Sequence, residues 1–202
     1  MERRIKAILP PKRPGTRTTV VFEDGTAKKY LPQVVAEQGL FPGMELDEEG
    51  FSALEAANSA ASAKARAVRI ISAASVSEGE LKNRLTQKGE TPEDAENAVR
   101  WLSDLDLLDD AETARQIVAR GAARGYGAER IKQMLYEKRI PKQYWDGALE
   151  TMPDMSEALT AFLRKRLGEE PDEKTRRSAA QAALRRGFRW EEIREALERM
   201  NS

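Results

Sequence analysis

A pattern of about 50 residues recurs three times along this chain, and it constrains the fold more than any other feature. Val76–Leu102 (VSEGELKNRLTQKGETPEDAENAVRWL) aligns with Tyr126–Met152 (YGAERIKQMLYEKRIPKQYWDGALETM) at an offset of 50, so that Leu81 falls on Ile131. A third copy, RRSAAQAALRRGFRWEEIREALERM, follows at an offset near 48. Self-similarity at this period is typical of helical repeat proteins, whose neighbouring copies pack on one another.

Each copy has the pattern of a three-helix unit: a leading helix, a basic second helix and a third helix that ends in Leu or Val. Local signals mark where helices begin. A Ser or Asp followed three residues later by Glu fits a capping box, and Thr followed by Pro fits an N-cap with a first-turn proline. These signals occur at Ser77 with Glu80, Asp109 with Glu112, Asp154 with Glu157, and Thr91 with Pro92.

A glycine-rich stretch in the middle copy, RGAARGYGAERIKQMLYEKRI (Arg120–Ile140), allows two interpretations. A phosphate-binding loop needs a preceding strand and either a Lys-Ser/Thr or a GxGxxG spacing. Here a helical pattern precedes the glycines, and neither spacing occurs. Glycine is also common just after the end of a helix. We therefore predict that Gly125 and Gly127 join two helices, with equivalent joints at residues 74–77 and 168–172.

The first 46 residues differ from the rest because they carry β-strand signals. Two β-prone runs, Thr18–Phe22 and Thr26–Leu31, flank Asp24-Gly25, a strong hairpin signal. We also predict strands at residues 3–9 and 44–46. A short helix is predicted at residues 33–38, and a linker helix within residues 47–74.

We therefore expect a mainly α fold: tandem three-helix repeats in an elongated array, with a small N-terminal β-containing extension. The expected divisions are 1–60 for the extension and linker, 61–108 for the first repeat, 109–153 for the second and 154–202 for the third.

Composition argues against most enzyme classes. The chain has no Cys and no His, so it lacks the thiolate nucleophile, the commonest general base and the commonest transition-metal ligand. Carboxylate chemistry with Mg²⁺ stays open. The acidic run Asp104–Glu112 lacks the alternating ligands and central glycine of a calcium loop, so helix capping is the preferred interpretation. We expect no enzyme, no cofactor and no metal site. The longest apolar runs are too short for a membrane span, so we expect a cytoplasmic protein.

Charge is segregated although the net charge of the whole chain is zero. Residues 76–112 hold 4 Lys or Arg against 11 Asp or Glu, a net charge of −7. Residues 113–145 hold 8 against 2, a net of +6, and residues 164–189 hold 9 against 4, a net of +5. Solvated helix faces explain any single charge but not this division between similar repeats. Segregated charge favours oriented binding to a polyanion or to a charged protein surface.

Two further patterns have a structural and a functional interpretation. Trp101, Trp145 and Trp190 lie in or beside the third helix of each repeat, where packing is a simpler explanation than base stacking. A helix-turn-helix reader of DNA would present similar base-contacting residues in each copy. Arg130 and Gln133 stand at the start of the second helix of the middle copy, but the other copies differ there, which argues against sequence-specific readout.

Three stretches resemble the RecX family, bacterial regulators of the RecA recombinase: SEGELKNRLTQKG, LLDDAETARQIVARGAARGYGAERIKQMLYEKRI and LRRGF. The resemblance covers residues 61–200 or so, and residues 1–60 look like an extension that some members carry. The chain departs from the family pattern at Arg139 and Asp106, where glycine is usual, and at Thr113-Ala114, where Phe-Ala is usual. The resemblance implies three tandem three-helix repeats, no enzymatic activity, and binding in the groove of a RecA filament on single-stranded DNA.

Together, these observations lead to the hypothesis that the chain binds the RecA filament as a monomer, using its basic middle and C-terminal repeats against acidic RecA surface or the DNA backbone. The expected contact residues are Arg120, Arg124, Arg130, Lys138, Arg139, Lys142, Arg185 and Arg186. Two alternatives remain open: a non-sequence-specific DNA-binding protein that acts without RecA, and a general helical-repeat scaffold for protein interactions. The N-terminal sheet, with 8 Lys or Arg against 5 Asp or Glu through residue 46, either adds a contact or caps the array.

Overall fold

The computed structural model describes residues 3–13, 15–169 and 171–201. Within them the chain forms ten α-helices and four short β-strands, which confirms the predicted mainly α class with a small N-terminal sheet. The described residues fall into two compact units. The first unit comprises residues within 1–74 and 81–105, and the second comprises 75–80 and residues within 106–202. No helix of the described residues is both long enough and apolar enough to cross a bilayer.

The first unit begins with four strands, β1 (Arg3–Leu9), β2 (Thr18–Phe22), β3 (Ala27–Tyr30) and β4 (Glu45–Leu46), and helix α1 (Pro32–Glu37) follows β3. The strands form an antiparallel sheet in the order β3-β2-β1-β4. These bounds agree closely with the predicted β-prone runs and short helix.

The hairpin between β2 and β3 turns where the sequence predicted it. Gly25 adopts a φ of +84°, which glycine tolerates without steric strain. The Asp24 carboxylate accepts hydrogen bonds from the Thr26 backbone N–H at 2.8 Å and from its hydroxyl at 2.7 Å. These bonds lower the pKa of Asp24 below its usual range.

Helix α2 (Glu48–Ala73) closes the core of the sheet. Leu54 of α2 is buried together with Ile5, Phe22 and Tyr30 of the strands. The helix runs without interruption across the expected division between residues 60 and 61. The predicted linker and the leading helix of the first repeat are therefore one element.

Two helices complete the first repeat: α3 (Glu78–Gln87) and α4 (Pro92–Asp104). Helix α2 packs against α4. As predicted, Thr91 caps α4, because its hydroxyl accepts a hydrogen bond from the Asp94 backbone N–H at 3.1 Å.

The second unit holds the helices of the middle and C-terminal repeats: α5 (Asp110–Ala123), α6 (Ala128–Glu137), α7 (Trp145–Leu149), α8 (Ser156–Leu167), α9 (Glu173–Arg185) and α10 (Trp190–Asn201). A short 3-10 turn, Lys142–Tyr144, precedes α7. The middle repeat has its own buried core around Ile131 and Leu135, and the C-terminal repeat has another around Leu163 and Ile193.

Two of the three predicted capping boxes show the expected hydrogen bond to the N-cap side chain. Ser77 accepts from the Glu80 backbone N–H at 3.0 Å, and Asp109 accepts from the Glu112 backbone N–H at 2.8 Å. The joint at Gly125 and Gly127 is also confirmed, since Gly125 follows the end of α5 with a φ of +71° and Gly127 is the N-cap of α6.

The predicted capping box at Asp154 and Glu157 is wrong. Helix α8 begins at Ser156, with Met155 as its N-cap. Asp154 instead accepts from the Ser156 backbone N–H at 2.9 Å and from the Ser156 hydroxyl at 2.8 Å. An Asp side chain commonly accepts hydrogen bonds from the residue two positions later and so forms a local turn. Here that turn delays the start of α8 to Ser156.

The packing interpretation of the three tryptophans holds for one clearly and fails for another. Trp145 packs against the core of the middle repeat, and its indole N–H donates to the Ile140 carbonyl at 3.0 Å. Trp101 is half-buried, with the Lys64 ammonium 5.1 Å from its ring centre. Trp190, the first residue of α10, is 53% exposed.

Candidate functional site

Within the second unit, the start of α6 meets the end of α9 at a close backbone contact that we call the second junction. The Gly127 N–H donates to the Arg186 carbonyl at 2.9 Å, and the Glu129 N–H donates to the Gly187 carbonyl at 3.1 Å. A Cβ on Gly187 would lie 2.2 Å from the Arg130 backbone N. A Cβ on Gly127 would lie 2.3 Å from the Gly187 carbonyl oxygen. The two backbone segments can therefore approach this closely only because glycine stands at both positions.

The same meeting point recurs one repeat earlier, where the start of α3 meets the end of α6; we call it the first junction. Here the Ser77 hydroxyl donates to the Lys138 carbonyl at 2.5 Å. The Lys138 ammonium pairs with the Glu80 carboxylate at 3.1 Å. A Cβ on Gly79 would lie 3.0 Å from the Cβ of Arg139. At the first junction, side chains therefore link the two helix ends, whereas at the second junction backbone N–H and carbonyl groups link them.

Arg139 adopts a backbone conformation that favours glycine. Its φ is +55°, whereas its counterparts in the other two repeats are Gly89 at +91° and Gly187 at +88°. A non-glycine residue in this region carries strain of about 1–2 kcal/mol. The departure from the family pattern noted in the sequence is thus a strained arginine at the first junction.

The structure separates the eight predicted contact residues into a group of four, a group of three and Arg130, which belongs to neither group. Four of them lie at the ends of α5 and α9, and we call them the α5–α9 cations: Arg120, Arg124, Arg185 and Arg186. The Arg186 guanidinium donates to the carbonyl oxygens of Arg124 and Gly125 at 3.4 and 3.3 Å. It also lies 4.5 Å from the ring centre of Phe162. Arg186 therefore has a structural role in this unit, whatever else it contacts.

The second group lies at the far end of α6, and we call it the α6-end cations: Lys138, Arg139 and Lys142. All three are exposed. Arg130 lies on the first turn of α6, about 12 Å away along the helix axis. It pairs with Glu137 at 3.3 Å. The eight residues are therefore not one continuous patch.

Two carboxylates near the junctions have shifted pKa values. Burial raises the pKa of Asp110, although the hydrogen bond that its carboxylate accepts from the Glu78 backbone N–H at 3.0 Å opposes the shift. The Lys132 ammonium, and then the Arg189 guanidinium, lower the pKa of Glu129. Asp110 thus joins the first junction as a buried acceptor, and Glu129 joins the second as an ion-paired anion.

Tyr136 is an exposed aromatic residue that the sequence interpretation overlooked. Its side chain is 72% exposed on α6, beside the α6-end cations. The sequence contained a signal for it, because Ile131 and Leu135 define the buried face of the helix and Tyr136 is out of phase with them. A cationic helix end beside an aromatic ring can hold phosphate or carboxylate groups and contact a flat ligand.

Comparison with known proteins identifies the family. A family model described as RecX, second three-helix domain, matches residues 109–149, which span α5, α6 and α7. Regulatory protein RecX of Chromohalobacter salexigens is 32% identical over 135 residues, which cover 65% of this chain and 88% of that protein. The chain belongs to the RecX family. Regulatory protein RecX of Deinococcus radiodurans is also 32% identical, over 141 residues that cover 66% of this chain and 68% of that protein.

Solved RecX structures share the fold. A crystal structure of regulatory protein RecX superposes with a TM-score of 0.69 at 24% identity, covering 96% of this chain and 99% of that one. The structure of RecX from Lactobacillus salivarius gives a TM-score of 0.65 at 19% identity and covers 72% of this chain. The first of these matches extends over the N-terminal sheet as well as the RecX repeats.

Proposed function

We propose that this RecX-family chain is a non-enzymatic regulator of the RecA recombinase. It binds the RecA filament on single-stranded DNA and lowers filament growth, ATP hydrolysis and strand exchange. The observation that carries the proposal is the 32% identity to a regulatory protein RecX over 88% of that protein's length. A chain without Cys or His also has few side chains suited to catalysis.

The α6-end cations are the surface that we assign to the filament. They are exposed, and they lie within the part of the chain, residues 113–145, that has a net charge of +6. Their partner is acidic RecA surface or the DNA backbone, because a cluster of ammonium and guanidinium groups favours carboxylate or phosphate. The α5–α9 cations are a second contact surface, with Arg186 contributing less because its guanidinium already bonds two carbonyls.

We further propose that the chain acts as a monomer in the cytoplasm through its three tandem repeats, divided as 61–108, 109–153 and 154–202. The N-terminal sheet adds a contact or caps the first repeat. Deleting it distinguishes these roles: a loss of solubility indicates a cap, and a loss of filament binding indicates a contact.

The experiment that tests the function is single-stranded-DNA-dependent ATP hydrolysis by the cognate RecA, titrated with this protein. We expect hydrolysis to fall when far less than one copy is present per RecA protomer, since a filament regulator acts on many protomers at once. No change, together with retained binding to bare DNA that weakens steeply with salt, would instead indicate a DNA-binding protein that acts without RecA. No change and no DNA binding would indicate a scaffold.

The ion pairs of the predicted contact cations also decide which variants remove charge without destabilising the fold. Reversing the charges of Arg130, Lys138 and Arg139 together is a natural choice, but Arg130 and Lys138 pair with Glu137 and Glu80. A reversed charge at either would face a carboxylate about 3 Å away and destabilise the fold.

Neutralising a pair of cations, rather than reversing their charge, avoids placing a new negative charge beside a carboxylate. Arg139→Gly with Lys142→Ser removes two exposed charges, and glycine suits the φ of residue 139. Arg176→Gln with Arg177→Gln removes two exposed charges from α9 and is the matched control; Arg177 pairs with the exposed Glu173 of its own helix, and a neutral Gln there does not repel that carboxylate. We expect the first pair to weaken the effect on RecA at least tenfold and the control pair to leave it within about twofold.

A further inference from the structure

Tyr136 lies on α6 away from the buried face of that helix. Ile131 and Leu135 are fully buried in the core of the middle repeat, whereas Tyr136 is the most exposed large hydrophobic side chain in the described part of the chain. A tyrosine fixed on a helix has only two side-chain torsions, so it loses little conformational entropy when a ligand packs on its ring.

The tyrosine borders a groove of about 480 Å³, which we call the Tyr136 groove; it is lined by Tyr136, Glu137, Arg139, Ile140, Lys142 and Trp145. Its walls are fixed by neighbouring contacts. The indole N–H of Trp145 donates to the Ile140 carbonyl at 3.0 Å, which holds that ring in place. Glu137 pairs with Arg130 at 3.3 Å, so the carboxylate in the groove is compensated by a cation.

Arg139 lines this groove under backbone strain that the matching residues of the other two repeats do not have. The matching residues, Gly89 and Gly187, are glycines with the same sign of φ. Glycine would relieve the strain at residue 139 as well, so a long cation there is costly for folding. Strained residues of this kind cluster at binding and catalytic sites.

We propose that the Tyr136 groove binds one unpaired nucleotide of a single-stranded nucleic acid. The base stacks on the Tyr136 ring, and the adjoining phosphate lies between the Arg139 guanidinium and the Lys142 ammonium. Proteins that bind single strands combine these two features, a basic groove that follows the backbone and an aromatic side chain on which a base stacks. Stacking on a ring requires an exposed base face, which paired DNA does not present.

The proposal rests on the proposed function in one respect: the strand that the groove meets in the cell is the DNA of the RecA filament. The contact itself involves no RecA residue. Binding to a free oligonucleotide therefore tests the groove separately from the regulation of RecA.

The experiment is fluorescence anisotropy of a labelled oligothymidylate titrated with the full chain. We expect Tyr136→Ala to weaken binding about 5- to 150-fold, the range for the loss of one stacked base. Tyr136→Phe keeps the ring and should bind like the unmodified protein. Trp190→Ala is the matched control, because it removes another exposed aromatic ring from the same unit and should have little effect.

Two further measurements distinguish the contribution of the base from that of the phosphate. On an abasic oligonucleotide, Tyr136→Ala should bind as well as the unmodified protein, since there is no base to stack. Arg139→Gly with Lys142→Ser should reduce the slope of log K against log salt by about 1.4 on either oligonucleotide, which corresponds to two lost phosphate contacts.

Three results would overturn the proposal: no binding of the oligonucleotide, equal affinity of Tyr136→Ala and the unmodified protein, or equal weakening by Tyr136→Ala with and without bases. If Tyr136→Ala weakens capture by RecA filaments but not binding of the oligonucleotide, the groove binds protein and the proposal is wrong. Tyr136-dependent oligonucleotide binding without any effect on RecA ATP hydrolysis would support the groove and contradict the proposed function.

Discussion

The first and second junctions join helices at the same point of the repeat, but they do so with different chemistry. At the second junction, Gly127 and Gly187 bring two backbones together through direct N–H to carbonyl hydrogen bonds. At the first, a Ser77 hydroxyl bonds the Lys138 carbonyl, and Arg139 stands where the second junction has Gly187.

The difference separates a packing role from a binding role. A contact made by glycine backbones is rigid, and at the second junction the Arg186 guanidinium is itself bonded to two backbone carbonyls. A contact made by side chains keeps the helix ends in place while it leaves cations exposed at the surface. We infer that the second junction mainly stabilises the unit, with the α5–α9 cations as a secondary contact surface, and that the first junction presents the main binding surface.

The largest effect should come from closing the space at the second junction. Gly187→Ala places a Cβ 2.2 Å from the Arg130 backbone N at a φ of +88°. We expect the free energy of unfolding to fall by about 3 kcal/mol or more, from overpacking added to backbone strain. Urea denaturation followed by circular dichroism measures this loss.

The matched control is Gly89→Ala, the same position in the first repeat. Its φ is +91°, but a Cβ there meets no other atom within 4 Å among the described residues. It should lose only about 1 kcal/mol, from strain alone. Equal losses at residues 89 and 187 would mean that the second junction is not a close contact.

The next largest effect should come from the hydroxyl at the first junction. Ser77→Ala removes a helix cap and the hydrogen bond to the Lys138 carbonyl, and we expect a loss of about 1–2 kcal/mol. Thr91→Ala removes an exposed cap of α4 and should lose about 1 kcal/mol or less. Thermal unfolding of the two variants compares them, and a smaller loss at Ser77 than at Thr91 would show that the junction bond contributes nothing.

A smaller effect, opposite in sign, should follow from relieving the strain at Arg139. Arg139→Gly should be more stable than Arg139→Ala by about 1 kcal/mol, because both lack the guanidinium and only alanine keeps a Cβ at a φ of +55°. Both variants should bind the filament less well than the unmodified protein. Equal stability of the two would place the strain elsewhere.

The smallest effect should be a pH dependence at Asp110. Burial raises the pKa of Asp110 above the usual 3.8. Burying the ionised carboxylate therefore lowers the free energy of unfolding at neutral pH. This penalty disappears as pH falls from the raised pKa through 3.8, because the carboxyl is then protonated in both the folded and the unfolded state. Asp110→Asn keeps an acceptor for the Glu78 N–H without the charge. We expect the variant to be slightly more stable at neutral pH and equal in stability at low pH. A pH-independent difference in unfolding free energy would contradict the shift.

The sequence predicted the elements of this fold better than its surfaces. Local patterns were sufficient to locate elements whose signals depend only on neighbouring residues. These are the helix starts at Ser77, Thr91 and Asp109 and the hairpin at Asp24. The capping box at Asp154 failed because a competing local turn gave the same signal.

The site was harder to predict because it depends on contacts between distant residues. The repeat alignment matched Lys138 with Arg186, yet only the structure shows that Arg186 bonds backbone carbonyls while Lys138 pairs with Glu80. Counting charges could not distinguish these two cations. The exposure of Tyr136 could have been inferred from the spacing of apolar residues along α6. The groove beside it could not, because its walls come from α6, the following loop and α7.

The most direct test of the proposed role is the affinity of the chain for preformed RecA filaments on single-stranded DNA, measured by co-sedimentation at fixed salt. We expect Arg139→Gly with Lys142→Ser to weaken binding at least tenfold, and Arg176→Gln with Arg177→Gln to bind within about twofold of the unmodified protein. Equal binding by all three proteins would show that the end of α6 is not the surface that meets the filament. A failure of the unmodified protein to bind would contradict the function itself.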